Sequence, residues 1–139
     1  MENKAKINKI LTDNASTPII FIGANASEIT NAVVIDAHIP SAELGILPTE
    51  NGYKYPQFVR QLMALQMKDI MPVVVIESID KISKDEQEKF YGLLKYRGLN
   101  GYRLPQNVRI ALTADNATDI AKRIVQLSLV YKVGGMNGE

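Results

Sequence analysis

Val73-Val74-Val75-Ile76-Glu77-Ser78-Ile79-Asp80-Lys81 is the stretch on which the reading of the fold turns. Residues 73–76 are all β-branched, which predicts a strand. They show no polar alternation, which predicts a strand covered on both faces, as in a parallel sheet. Glu77 closes the run with a carboxylate where the strand would meet solvent. Many strands end on an acid, so the meaning of this one depends on its surroundings.

Three runs of the same kind stand elsewhere in the chain: Ile19–Ile22, Ala32–Ile35 and Val108–Leu112. A fifth, Val125–Val133, alternates in part and is also read as a strand. Helical patterns lie between them. Ala5, Ile7, Ile10 and Leu11 predict a short helix over 3–12, broken by Asp13, Asn14, Ser16 and Pro18. Phe58, Leu62 and Leu65 follow Pro56, which suits a helix start. Ser83-Lys84-Asp85-Glu86 is a capping box. It opens a helix through Phe90, Leu93 and Leu94 that ends before Gly98. Asn116 or Thr118 caps another through Ala121 and Ile124. Strands alternating with helices predict an α/β domain with right-handed crossovers.

The chain has 139 residues, which suits one domain able to bury its own core. We assign residues 1–17 to an N-terminal helix and linker and 134–139 to a flexible tail. Cysteine is absent, so a disulfide framework and a thiolate metal site are excluded. A net charge of +1 supplies no global attraction to nucleic acid or anionic lipid, and nucleic acid is not the expected partner. No apolar run is long enough to cross a bilayer. A cytoplasmic location is the default expectation.

The loop after the first strand reads Gly23-Ala24-Asn25-Ala26-Ser27-Glu28-Ile29-Thr30. It has the outline of a phosphate-binding loop, G-x-x-x-x-G-K-[ST]. Gly23 matches the first glycine and Thr30 the last hydroxyl. Glu28 stands for the second glycine and Ile29 for the lysine. Such loops work through inward N–H groups, a positive helix end and the lysine. Here a carboxylate would face phosphate and the cation is gone. Gly23, Asn25, Ser27 and Thr30 are therefore candidates for a vestigial phosphate loop. Ile29 is expected to turn into the core or an interface.

Residues 79–110 carry a resemblance. Ile79-Asp80-Lys81, Gln87, Leu93-Leu94, Arg97, Asn100-Gly101, Leu104-Pro105 and Asn107-Val108-Arg109-Ile110 follow one another in the order and spacing of the AAA+ ATPases, especially the MoxR-like branch. Val34-Ile35-Asp36, Glu43-Leu44-Gly45-Ile46-Leu47-Pro48 and Tyr55-Pro56 resemble the family's second strand and the loop after it. Ala111-Leu112-Thr113-Ala114-Asp115-Asn116 resembles the strand that ends in the sensor asparagine. Without a gap the sensor falls on Asp115; a slip of one residue puts it on Asn116. The resemblance covers residues 18–133 and stops after the fifth strand, so the helical lid that normally follows is absent on this reading.

The resemblance implies a three-layer P-loop NTPase-like α/β domain with a mostly parallel five-stranded sheet. It implies a vestigial Mg²⁺ position at Glu77 and Thr30, sensor-like residues at Asp115 and Asn116, and a trans-acting arginine near Lys122-Arg123-Ile124. The catalytic glutamate position falls on Ser78, which cannot act as a base near neutral pH. The expected function is a non-catalytic interaction or assembly module with no cofactor, joined to a protein partner or to itself. The alternative is a subunit that binds ATP and Mg²⁺ weakly and is completed by a partner. The family segment matching 97–105 often projects toward a pore or partner. Tyr91, Tyr96 and Tyr102 beside Lys95, Arg97 and Arg103 thus form the candidate contact surface, although an ordinary amphipathic helix with a hairpin is the favoured reading of them. Asp80 and Lys81 read as surface residues, His38 as structural, and Met63, Met67 and Met71 as core or interface filling.

Overall fold

A computed structural model describes residues 2–14, 17–99 and 102–133. In chain order the elements are α1 (Glu2–Asp13), β1 (Ile19–Ile22), β2 (Ala32–Asp36), β3 (Leu47–Thr49), β4 (Gly52–Lys54), α2 (Gln57–Met67), β5 (Val73–Glu77), α3 (Lys84–Gln87), α4 (Tyr91–Tyr96), β6 (Gly98–Leu99), β7 (Tyr102–Arg103), β8 (Arg109–Ala114), α5 (Lys122–Leu127) and β9 (Leu129–Lys132). Short 3₁₀ turns fill several links, among them Ala26–Glu28 and Ser41–Leu44.

Five strands form one sheet in the order β2-β5-β8-β1-β9, and every pairing in it is parallel. Two small antiparallel hairpins, β3–β4 and β6–β7, stand apart from it. The fold class is the expected α/β one. Handedness sorts the connections by face. Chain moving from β1 to β2 travels the opposite way along the sheet from chain moving through β2, β5, β8 and β9. Right-handed crossovers must then lie on opposite faces. One core accordingly joins Ile20, Ile22, Val74, Ile76 and Leu112 to residues of α2, α4 and α5. The other joins Ile19, Phe21, Val75 and Ala111 to α1 and to Ala24, Ala26 and Ile29 of the β1–β2 link.

Local chemistry explains most boundaries. The Ser83 hydroxyl accepts the Glu86 N–H at 3.1 Å, so the capping box forms as expected. The helix it opens is interrupted by a 3₁₀ turn at Glu88–Phe90 before α4. It ends on Arg97, which takes the left-handed φ of 59° usually given to glycine. The Arg97 guanidinium offsets that strain by donating to the carbonyls of Pro105 at 2.9 Å and Val108 at 2.5 Å.

The fifth apolar run is only partly a strand. Val125–Leu127 belong to α5, and β9 begins at Leu129. Packing overrides β propensity here, because Ile124 is fully buried between α5 and the main core. Ser128 ends the helix by bonding the Ile124 carbonyl at 2.7 Å. The expected Asn100-Gly101 hairpin tip and the tail at 134–139 lie outside the described residues.

Candidate functional site

In open α/β sheets the ligand crevice lies at the carboxyl ends of adjacent strands whose connections leave on opposite faces. β1 and β8 are such a pair, because the β1–β2 link and α5 cover opposite faces. The carboxyl edge around them holds Gly23, Glu77, Ser78, Asp80, Asp115 and Asn116.

Gly23 has φ of 90° and donates its N–H to the Ala114 carbonyl at 2.9 Å, which joins the ends of β1 and β8. Ser78 follows β5 with φ of 60°, and its N–H donates to the Thr113 hydroxyl at 3.0 Å. That left-handed residue turns the chain so that Asp80 points back under β8. One carboxylate oxygen of Asp80 accepts the N–H groups of Asp115 at 2.9 Å and Asn116 at 3.1 Å. The other is buried without a hydrogen-bond partner among the described residues. Asp80 is thus a bridge between strand ends and departs from the surface role read from the sequence. Its position in Ile79-Asp80-Lys81, directly after an acid-ended strand, was the available signal.

The two sensor-like candidates sit together on this edge and are both engaged. The Asp115 carboxylate pairs with the Lys81 ammonium at 2.8 Å, and that hydrogen bond raises the Lys81 pKa. Both side chains are exposed, so the pair adds little to stability. The Asn116 side chain accepts from the Thr118 N–H at 3.0 Å and hydroxyl at 2.8 Å, capping the 3₁₀ turn that follows. Glu77 is half-buried at the end of β5.

The remaining candidates lie in the β1–β2 link. Its nine residues, 23–31, cross the sheet with one 3₁₀ turn, and β2 begins at Ala32. A helical crossover between parallel strands takes about a dozen residues or more. No helix therefore follows the loop among the described residues, and no helix N-terminus faces it. Ala24, Ala26 and Ile29 turn inward, while Gly23, Asn25, Ser27 and Thr30 are exposed. Ile29 is 4% exposed and packs with Ile7, Leu11, Phe21 and Val75, as expected of it. Glu28 does not face a phosphate cradle; its carboxylate accepts the Asn25 N–H at 2.8 Å.

Thr30 and Glu77 are not brought together. Ala32 pairs with Val73 and Asp36 with Glu77, so Thr30 lies beyond the amino edge of the sheet. Four residues of strand alone separate the edges by about 13 Å. The pair cannot share one metal ion in this structure. Among the described residues there is also no group of three His, Asp or Glu side chains arranged to hold one. The N–H of Thr30 is instead taken by the Asn8 side chain of α1 at 2.9 Å, and the Asn8 amide donates to the Glu28 carbonyl at 3.0 Å. The sequence reading missed Asn8. The short interval between the first two apolar runs was the signal that a phosphate-loop helix would not fit.

Several cations in or near the candidate contact surface have partners within the chain. Arg97 bonds carbonyls, and Arg109 donates to the carbonyls of Leu11 at 3.0 Å, Thr12 at 3.1 Å and Asn107 at 3.0 Å. Arg123 stacks on the Tyr91 ring at 3.7 Å and pairs with Glu88 at 2.6 Å. The proposed trans-acting arginine is thus held within its own chain. Lys95 lies over both Tyr91 and Tyr96. Burial raises the Tyr102 phenol pKa.

No family model matches the sequence, and no match is found among curated proteins. Solved structures do match. A mutant RuvB from Thermotoga maritima superposes with a TM-score of 0.53 at 12% identity, over 95% of this chain and 45% of that one. A DNA polymerase III gamma subunit-related protein from Thermotoga maritima MSB8 gives 0.50 at 11% identity, over 94% of this chain and 45% of that one. At these identities the likeness shows the fold alone, a P-loop NTPase-like α/β domain with an all-parallel five-stranded sheet. This chain spans a little under half the length of each.

Proposed function

We propose that this chain is a degenerate AAA+-type domain, of the MoxR-like kind by the motif order at 79–110, that works as a non-catalytic interaction or assembly module. The observation that carries this reading is the β1–β2 link. Nine residues with a single 3₁₀ turn leave no helix N-terminus to hold phosphate. Ile29, where the lysine would stand, belongs to the apolar core beneath α1. Ser78, where the base would stand, spends its backbone on the Thr113 hydroxyl. The link between β1 and β2 would have to lengthen before it could carry the missing helix, so restoring a side chain does not restore the loop.

Isothermal titration with ATP and Mg²⁺ tests the reading. We expect no saturable heat and no turnover. Tight binding with turnover that a Thr30→Ala change abolishes overturns it. Ligand linkage supplies a second readout, since a nucleotide that binds the folded chain must raise its melting temperature.

A further inference from the structure

The methionines at 63, 67 and 71 do not fill the core. Met63 is 37% exposed, Met71 43% and Met67 88%. Met71 alone of the three has a hydrogen-bonding partner among the described residues. It lies two residues before Val73, and Val73 pairs with Arg109 in the parallel ladder of β5 and β8. That register brings Met71 to the amino edge of the sheet, beside Asn107. The Arg109 side chain turns to the same edge. Its Nη1 donates to the Asn107 carbonyl at 3.0 Å and to the Met71 sulfur. Its other nitrogens reach α1, where Nε donates to the Leu11 carbonyl at 3.0 Å and Nη2 to the Thr12 carbonyl at 3.1 Å.

The guanidinium is thus a clamp with two jaws. One holds the last turn of α1, whose final carbonyls have no partner within the helix. The other rests on Asn107 and Met71 at the sheet edge. The sulfur is the weak member of this set, because a thioether is a poor acceptor. What the clamp holds matters to the rest of the chain, since α1 covers Ile29 and the β1–β2 link.

We propose that Met71 is an oxidation site whose sulfoxide locks α1 onto the sheet through Arg109. The oxidant is a peroxide. The sulfur lone pair forms the S–O bond and the O–O bond breaks. The proton of the transferred hydroxyl moves to the leaving oxygen, which departs as water or an alcohol. The sulfur is oxidised and the peroxide reduced, and the product is a polar sulfoxide. A bond from a guanidinium to the sulfoxide oxygen is charge-assisted and stronger than one to a thioether. The flexible methionine side chain lets that oxygen meet Nη1 without a shift of the backbone. With Nη1 held, Nε and Nη2 stay aimed at the α1 carbonyls. Sulfoxide reductases reverse the modification, so the lock can be released. This inference goes beyond the module reading and does not depend on whether the chain binds nucleotide.

The full chain is treated with dilute hydrogen peroxide, sulfoxides are located by peptide mass mapping, and hydrogen exchange is followed in the last turn of α1. We expect a sulfoxide at Met71 and exchange in that turn slowed about tenfold, the effect of one hydrogen bond to a charged group. Methionine sulfoxide reductase with a dithiol should restore the original rate. Met71→Leu keeps the side-chain volume and cannot be oxidised, so peroxide should leave its α1 exchange unchanged. The Met63→Leu/Met67→Leu chain should respond as the parent does. Exchange that is unchanged or faster once Met71 is oxidised overturns the proposal. So does slowing that persists in Met71→Leu, or a Met71 that stays reduced while Met67 is fully oxidised.

Discussion

The side-chain oxygen of Asn8, in the N-terminal helix, accepts the backbone N–H of Thr30 at 2.9 Å, at the end of the β1–β2 link. The amide of the same residue donates to the Glu28 carbonyl at 3.0 Å. A polar side chain from outside the strand–helix repeat thus supplies the hydrogen bonds that a following helix would otherwise make. Asn8→Ala should destabilise the chain by about 1–2 kcal/mol, the range for losing such bonds. Urea unfolding with an unchanged m-value checks it; a midpoint equal to that of the parent would show that the clamp is idle.

Ile29→Lys puts back the residue expected of a phosphate loop. The side chain packs beneath α1, so the ammonium must enter apolar surroundings or drag the link outward. We expect a loss of about 2–4 kcal/mol and no gain of ATP binding, whereas Ile29→Val should lose about 1 kcal/mol. Chemical unfolding and calorimetry decide together. A variant that keeps its stability and binds ATP contradicts the account of the link.

Gln87 is fully buried and satisfied. Its amide donates to the carbonyls of Ile82 at 3.2 Å and Asp119 at 2.8 Å, and its oxygen accepts the Ala121 N–H at 2.6 Å. It therefore ties α3 to the start of α5. Gln87→Leu keeps most of the volume but orphans those backbone groups, at a cost of about 2–4 kcal/mol. Hydrogen exchange should rise first at residues 119–124. Uniform exchange change across the sheet would assign the loss to packing instead.

The Asp36 carboxyl is held below its ordinary pKa, first by the His38 backbone N–H and then by the His38 ring. The folded pKa lies below the unfolded one. Its contribution is therefore present above the ordinary carboxylate range and fades as pH falls through the depressed value. The group is exposed, so the contribution is small. A ¹³C titration of the Asp36 carboxyl should show the depression, and His38→Ala should move it upward. An unmoved value would mean that the pairing does not persist in solution.

The fold was legible where one local property set it. The valines at 73–75 announce a covered strand, and the Ser83 capping box forms as written. Arg97 was legible as part of a motif but not as the left-handed end of a helix, because its carbonyl partners at 105–108 come from beyond the hairpin. Val125–Leu127 read as strand because their β propensity was taken alone, and contact with α4 makes them helix. For the site, the sequence offered Asp115 or Asn116 as the sensor-like position, and residue order did not reveal that Asp80 holds the backbone N–H groups of both.

Residue order alone determined the number and type of the sheet strands, the buried character of Ile29 and the absence of a lysine in the loop. Each depends on side-chain chemistry and short-range spacing. Only the tertiary structure decided that Thr30 and Glu77 lie at opposite edges of the sheet, because parallel register is a long-range pairing of residues 32–36 with 73–77. It also decided that α1 covers the link and holds it through Asn8. A helix that precedes the first strand has no place in the strand–helix repeat. Its docking is governed by which face the right-handed crossovers leave open.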